Sequence, residues 1–210
     1  MPMNGKLWET THEGKLRGLR SISTDLNGNK NCRRRRRCAN AVCSHCYAGR
    51  YTAYRATLTK HLERNAKVLT TRLLREMETP LINDRYYRFE SFGDLRNGTH
   101  LHNYFLIAGR NPETKFALWT KNLPILRRVL RQGITPPPNL RIIYSSPRLN
   151  EQAKLPEDLR PHINHVFTVY TKEWLREHPA TEINCGKIEC LRCLNCYGQN
   201  GPYYINEELK

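Results

Sequence analysis

The chain has 210 residues, 39% of them hydrophobic, with 35 Lys/Arg against 19 Asp/Glu and a formal net charge of +16. That length suits one domain with a core that needs no disulfide staples, and no run approaches the length of apolar sequence that a membrane-spanning helix requires. The opening MPMNGKLWETTHEGK lacks the apolar centre of a signal peptide, so a cytoplasmic protein without membrane partners is expected.

The charge is uneven. Residues 1–78 hold 17 Lys/Arg against 6 Asp/Glu, an excess suited to nucleic acid or another polyanion. Within that stretch GLRSIST (18–24) alternates apolar and polar residues and predicts a first strand. DLNGNKN follows as a loop rich in turn formers, and the first cysteines come next. From Gly49 to Met77 the spacing predicts a helix, with Leu58, Leu62, Ala66, Leu69 and Leu73 on one stripe and Pro80 as its stop.

Four strand–helix pairings come after it. YYRFES (86–91) is a strand, then a GDLRNGTH loop and a helix near 99–109. KFALWT (115–120) is a strand, then a helix near 123–132. LRIIYSS (140–146) is a strand, then loop or short helix as far as Arg160. HVFTVYT (165–171) is a strand, and a helix begins at Lys172. EINC (182–185) fits a short sixth strand.

This alternation implies an α/β fold with parallel pairing through right-handed crossovers: a partial parallel barrel of five or six units, or an open parallel sheet. A single domain over 1–210 is expected, with an α/β core at 18–180 and a cysteine-rich segment at 181–200. Sites in such folds form at the carboxyl ends of strands. Those ends carry Ser91-Phe92-Gly93-Asp94, Thr120-Lys121-Asn122, Ser145-Ser146 and Tyr170-Thr171-Lys172.

All eight cysteines fall into two quartets, Cys32, Cys38, Cys43, Cys46 and Cys185, Cys190, Cys193, Cys196. In a reducing compartment such clustering points to metal or redox chemistry rather than disulfides. Thiolates spaced closely along one loop can converge on a soft metal or a cluster. Four cysteines can also close a tetrahedral zinc site, though zinc ribbons pair two C-x2-C hooks across a longer gap. Cys190, Cys193 and Cys196 form C-x2-C-x2-C, the opening of a bacterial ferredoxin run, with Cys185 available as fourth ligand, which favours a 4Fe–4S cluster. In the first quartet, three ligands at Cys38, Cys43 and Cys46 would leave an iron open for substrate; Cys32 as the fourth would close it. Both arrangements remain open on the sequence.

Between two of these cysteines lie Arg33, Arg34, Arg35, Arg36 and Arg37, which read either as a nucleic-acid or anion contact beside a metal centre or as a solvated basic loop. His100 and His102 sit after a strand exit, where acid–base work is one reading and plain surface exposure the commoner one. Lys121 follows a strand and reads either as a contact for an anionic substrate or as an ordinary exposed lysine. Gly-rich phosphate loops, His-Glu-x-x-His helices and nucleophile elbows are absent from the sequence.

Cys38…Cys43-Ser44-His45-Cys46-Tyr47-Ala48, with Arg88-Phe89-Glu90-Ser91-Phe92-Gly93-Asp94, Phe116-Ala117-Leu118-Trp119-Thr120-Lys121-Asn122 and the C-terminal cysteine run, resembles the phage gene product eighty-eight family over most of Gly18 to Tyr197. That resemblance implies a phage-encoded protein working in host cytoplasm. The same layout is similar to radical S-adenosylmethionine enzymes, which place a three-cysteine loop after the first strand of a partial barrel. By that likeness Cys38, Cys43 and Cys46 hold a 4Fe–4S cluster, and Gly93-Asp94 meet the methionine amino group of S-adenosylmethionine. Ser145 or Ser146 meets its ribose or carboxylate, and the C-terminal quartet holds an auxiliary cluster. The expectation is an iron–sulfur enzyme of this type with two clusters and an unidentified substrate. The alternative is a basic nucleic-acid-binding protein with two structural four-cysteine sites, zinc or iron–sulfur.

Overall fold

The structure is a computed structural model and describes residues 6–210. Runs of alternating aromatic, β-branched and aliphatic residues form its sheet. The strands are β1 (Glu9–Thr11), β2 (Arg20–Ile22), β3 (Tyr86–Phe89), β4 (Lys115–Thr120), β5 (Leu140–Ser145), β6 (His165–Tyr170) and β7 (Tyr204–Glu208). They lie side by side in chain order; β1 is antiparallel to β2, and every later neighbour is parallel.

Parallel neighbours must be joined by crossovers, and the helices supply them. α1 (Lys30–Arg36), α2 (Tyr47–Ala53) and α3 (Ala56–Thr71) link β2 to β3; α4 (Gly98–Arg110) links β3 to β4; α5 (Leu123–Arg131) links β4 to β5; α6 (Lys172–Glu177) and the short α7 (Cys190–Cys193) lie between β6 and β7. Crossovers of one hand between consecutive strands put their helices on one face of a sheet. The main core agrees. Ile22, Phe89, Leu118 and Ile142 stand in register across four strands and pack against Leu69 of α3, Leu101, Tyr104 and Ile107 of α4, and Leu126 and Val129 of α5. Phe89 stacks on Tyr104 and Phe116 with ring centroids 4.2 Å and 5.0 Å apart.

The next residues along each strand face the other way. There Ala117 and Ile143 pack with Leu19 and with Tyr197 of the C-terminal segment, whose ring meets Tyr86 edge-on at 5.3 Å. Both faces are covered, as the apolar strand composition requires. α3, α4 and α5 cover one face, and the cysteine-rich segment with α7 lies on the other.

Several sequence expectations change. The sheet stays open, with β1 and β7 as its edges, so the partial barrel is not closed. The helix expected over 49–77 is two helices, parted at Tyr54–Arg55 and finished at Thr71, well before Pro80; Leu62, Ala66 and Leu69 are buried as predicted, and Leu73 is exposed. The arginine run is helical: Asn29 caps α1 by accepting from the backbone N–H of Asn31 and Cys32. EINC forms a single bridge, from Cys185 to Glu207, and the last strand is instead YINEE, where Ile205 alone is fully buried.

Candidate metal centre

The first cysteine group is set at the carboxyl ends of the strands, and the second lies over the sheet face beside it. After β2 the chain turns into α1, whose cap Asn29 also donates to the backbone carbonyl of Asp94 at 2.7 Å and so ties the cysteine loop to the exit of β3. α1 buries Cys32. A 3-10 turn, Val42–His45, is pinned by Val42 N–H donating to the Pro147 carbonyl at 3.0 Å, and it delivers Cys43 and Cys46 just before α2. Cys32, Cys43 and Cys46 line a cavity of about 460 Å³; Cys38 stands outside it, exposed, with its sulfur 3.6 Å from the Arg34 carbonyl.

The second group is built differently. Cys185 bridges to β7, Cys190 and Cys193 begin and end the single turn of α7, and Leu194 in left-handed backbone (φ 54°) folds the chain back so that Cys196 follows. All four line a cavity of about 360 Å³. Lys15, Arg88, Trp119, Cys185, Cys190 and Cys196 border both cavities, so the two cysteine groups face connected space.

Among the described residues, no set of three or more His, Cys, Asp or Glu side chains is gathered closely enough to hold a metal ion as it stands. The cysteines are neighbours around cavities rather than closed ligand sets. Burial pushes the Cys32, Cys43, Cys185 and Cys190 thiols up, and Cys196 up to about 12, so without a cation they are neutral donors.

Two cations face the C-terminal quartet. Lys15 donates to the Cys185 sulfur at 3.2 Å and to Glu207 at 2.7 Å; burial pushes its ammonium down, but Glu207 and Cys185 together hold it above the ordinary lysine range. Arg88, projecting from the middle of β3, lies with its guanidinium carbon 3.7 Å from the centroid of Trp119. Four thiolates around a divalent metal or a cubane leave a net negative charge, and these cations complement it. In charge, though not in closed geometry, the C-terminal group would suit a thiolate-ligated centre.

Of the expected cofactor residues, Gly93, Asp94 and Ser145 line the larger cavity and Ser146 does not. Gly93 lies in a close turn where a Cβ would come 2.5 Å from the Thr24 carbonyl oxygen. Asp94 is buried and committed: its carboxylate accepts from Arg35 at 2.9 Å and from the Thr120 hydroxyl at 2.7 Å. Arg35 thus braces the site and does not join Arg33, Arg34, Arg36 and Arg37 on the surface. Ser145 lines the larger cavity and accepts from Lys121 Nζ at 2.8 Å. Ser146 turns away, donating to the Glu151 carbonyl at 2.7 Å. His100 is buried with Nε2 3.2 Å from Glu90, and it does not line either cavity.

Three residues the sequence reading passed over matter most. Lys15 and Arg88 are the cations of the shared wall. Glu90 sits at the exit of β3 in left-handed backbone (φ 59°) and accepts from the Thr24 hydroxyl at 2.9 Å, the Tyr104 hydroxyl at 2.8 Å and the Gly93 N–H at 3.1 Å. A charged residue in the middle of a buried strand was the available signal for Arg88.

Fold and site together define an α/β protein in which two cysteine groups share connected cavities, the first at the carboxyl ends of an open, mostly parallel sheet and the second over its face. The chain belongs to the gene product 88 family, whose family model matches residues 3–202. No curated protein and no solved structure matches it. Among the described residues no helix is long and apolar enough to cross a membrane.

Proposed function

We propose that the protein is an iron–sulfur enzyme of radical S-adenosylmethionine type, with a reactive centre at the first cysteine group and an auxiliary centre at the second. The supporting observation is that Cys32, Cys43 and Cys46 border the same cavity as Cys185, Cys190 and Cys196, at the carboxyl side of the sheet. A reduced cluster with an open iron would supply the electron that cleaves the cofactor to a 5′-deoxyadenosyl radical. The chain's own residues position and shield. Asn29 and Arg35 fasten the cysteine loop to the exits of β3 and β4, and the Lys121–Ser145 pair offers a cation beside the ligand space. Lys15 and Arg88 offset thiolate charge at the inner wall.

In this reading Cys32 replaces Cys38 in the expected open-iron ligand set, and Cys38, exposed outside the cavity, is the dispensable one. The test is anaerobic reconstitution followed by reduction with dithionite in the presence of S-adenosylmethionine. The expected result is release of 5′-deoxyadenosine, lost in Cys43→Ser and Cys46→Ser and kept in Cys38→Ser. Tightly bound zinc with no 5′-deoxyadenosine would overturn the reading.

A further inference from the structure

The outer wall of the larger cavity carries a surface that neither cysteine group explains. Residues 26–62 contain nine Lys/Arg and no Asp or Glu. α1 presents Arg33, Arg34, Arg36 and Arg37 to solvent, and among the described residues the side chains of Arg34 and Arg37 have no hydrogen-bond or ion-pair partner. The Arg36 guanidinium of α1 packs over Gly49 of α2.

Tyr47, Arg50, Tyr51 and Tyr54 are spaced at three, four and seven residues, which puts them on one helical stripe. An aromatic stripe at that spacing normally faces a core. Here Tyr47 is 51% exposed, Tyr51 37% and Tyr54 91%. Arg55 lies over the Tyr51 ring at 3.7 Å, and Tyr51 and Tyr47 flank the buried Phe92. Arg36, His45, Tyr47 and Arg50 are also cavity-lining residues, so the stripe runs directly into the mouth of the pocket, where Trp119 and Arg88 wait deeper in.

Tyr47 donates to the Ser91 carbonyl and Tyr51 carries Arg55, so their rings are held in place, while Tyr54, among the described residues, stands free. Unpaired arginines beside such rings match the chemistry of a polynucleotide whose bases are unpaired: cations track phosphates, and rings stack on bases regardless of sequence. A duplex hides its base faces and would leave the tyrosines unused. We propose that the α1–α2 face binds single-stranded nucleic acid and delivers one nucleotide to the cavity, making a polynucleotide the substrate class of the site. The delivery step rests on the function proposed above; the binding step does not.

The experiment uses the full chain, anaerobically reconstituted, and fluorescence anisotropy with labelled oligo(dT) and oligo(U) of about 20 nucleotides, longer than typical single-strand site sizes, beside a duplex of the same length. Iron is counted on the same samples. Expected are tighter binding of single strand than of duplex, and a loss of about tenfold or more in Arg34→Glu/Arg37→Glu, with a salt slope smaller by about one to two. Tyr54→Ala should lose about fivefold or more on single strand only. Lys115→Glu, at the amino end of β4, should bind as the wild type does. DNA and RNA arms report which sugar is preferred. If the wild type fails to bind, or binds equally well after Arg34→Glu/Arg37→Glu, the proposal is overturned. Iron loading without oligonucleotide binding sinks this inference alone; binding without iron sinks the cluster reading and leaves the surface standing.

Discussion

Glu90 shows how much one side chain can fix at the mouth of the site. Buried carboxylates are pushed up by desolvation, yet the His100 ring beside it and hydrogen bonds from Tyr104 and Thr24 hold this one below its ordinary value. Its negative charge thereby joins the exits of β2 and β3, because Thr24 and the Gly93 turn both donate to it. A depressed folded value means that its stabilising contribution is complete above the ordinary carboxylate range and is lost as pH falls through and below that range. Glu90→Gln should destabilise by about 2–4 kcal/mol at neutral pH, and it should flatten the loss of stability between about pH 5 and pH 3. Urea titrations across that interval check both; an acid limb as steep as in the wild type would show that other groups carry it. Sequence could not reveal this role, since nothing in Arg88-Phe89-Glu90-Ser91 says that the strand ends in left-handed backbone with the acid turned inward. Asp94, by contrast, stood out as a strand-end acid, but its commitment to Arg35 and Thr120 depends on contacts from distant parts of the chain.

At the scale of elements, legibility followed burial. β4 was read at its observed bounds because Phe116, Ala117 and Leu118 are buried against covered faces on both sides. α4 and α5 were placed within a residue or two for the same reason. Elements held mainly by backbone pairing or by polar caps left little periodic signal. β1 is three residues with none buried, β7 has one, and α1 buries only Cys32. α1 owes its start to Asn29, whose side chain caps the helix and also reaches the Asp94 carbonyl. Removing that double contact with Asn29→Ala should cost about 1 kcal/mol or somewhat more. It should raise hydrogen exchange in residues 30–36 while β3 to β6 keep their protection. Unchanged exchange across α1 would mean that packing around Cys32, rather than the cap, holds the helix.

For the whole molecule, the order of strands decides where chemistry can occur. Consecutive parallel neighbours gather α3, α4 and α5 on one face, leaving the other face for a C-terminal segment that has no helix long enough to act as a cover on its own. The chain meets that need with Tyr197, Leu194 and the α7 turn, and this packing brings the second cysteine group beside the first. The two quartets were legible as sequence clusters. Their sharing of Lys15, Arg88 and Trp119 was not, because those residues come from a short N-terminal turn and two central strands. The central claim is that each group holds its own inorganic centre, and the most direct measurement is iron and acid-labile sulfide per chain after anaerobic reconstitution. The wild type should carry about eight irons, and a chain with Cys185, Cys190, Cys193 and Cys196 all changed to Ser about four. Substoichiometric iron without sulfide in the wild type would contradict the account.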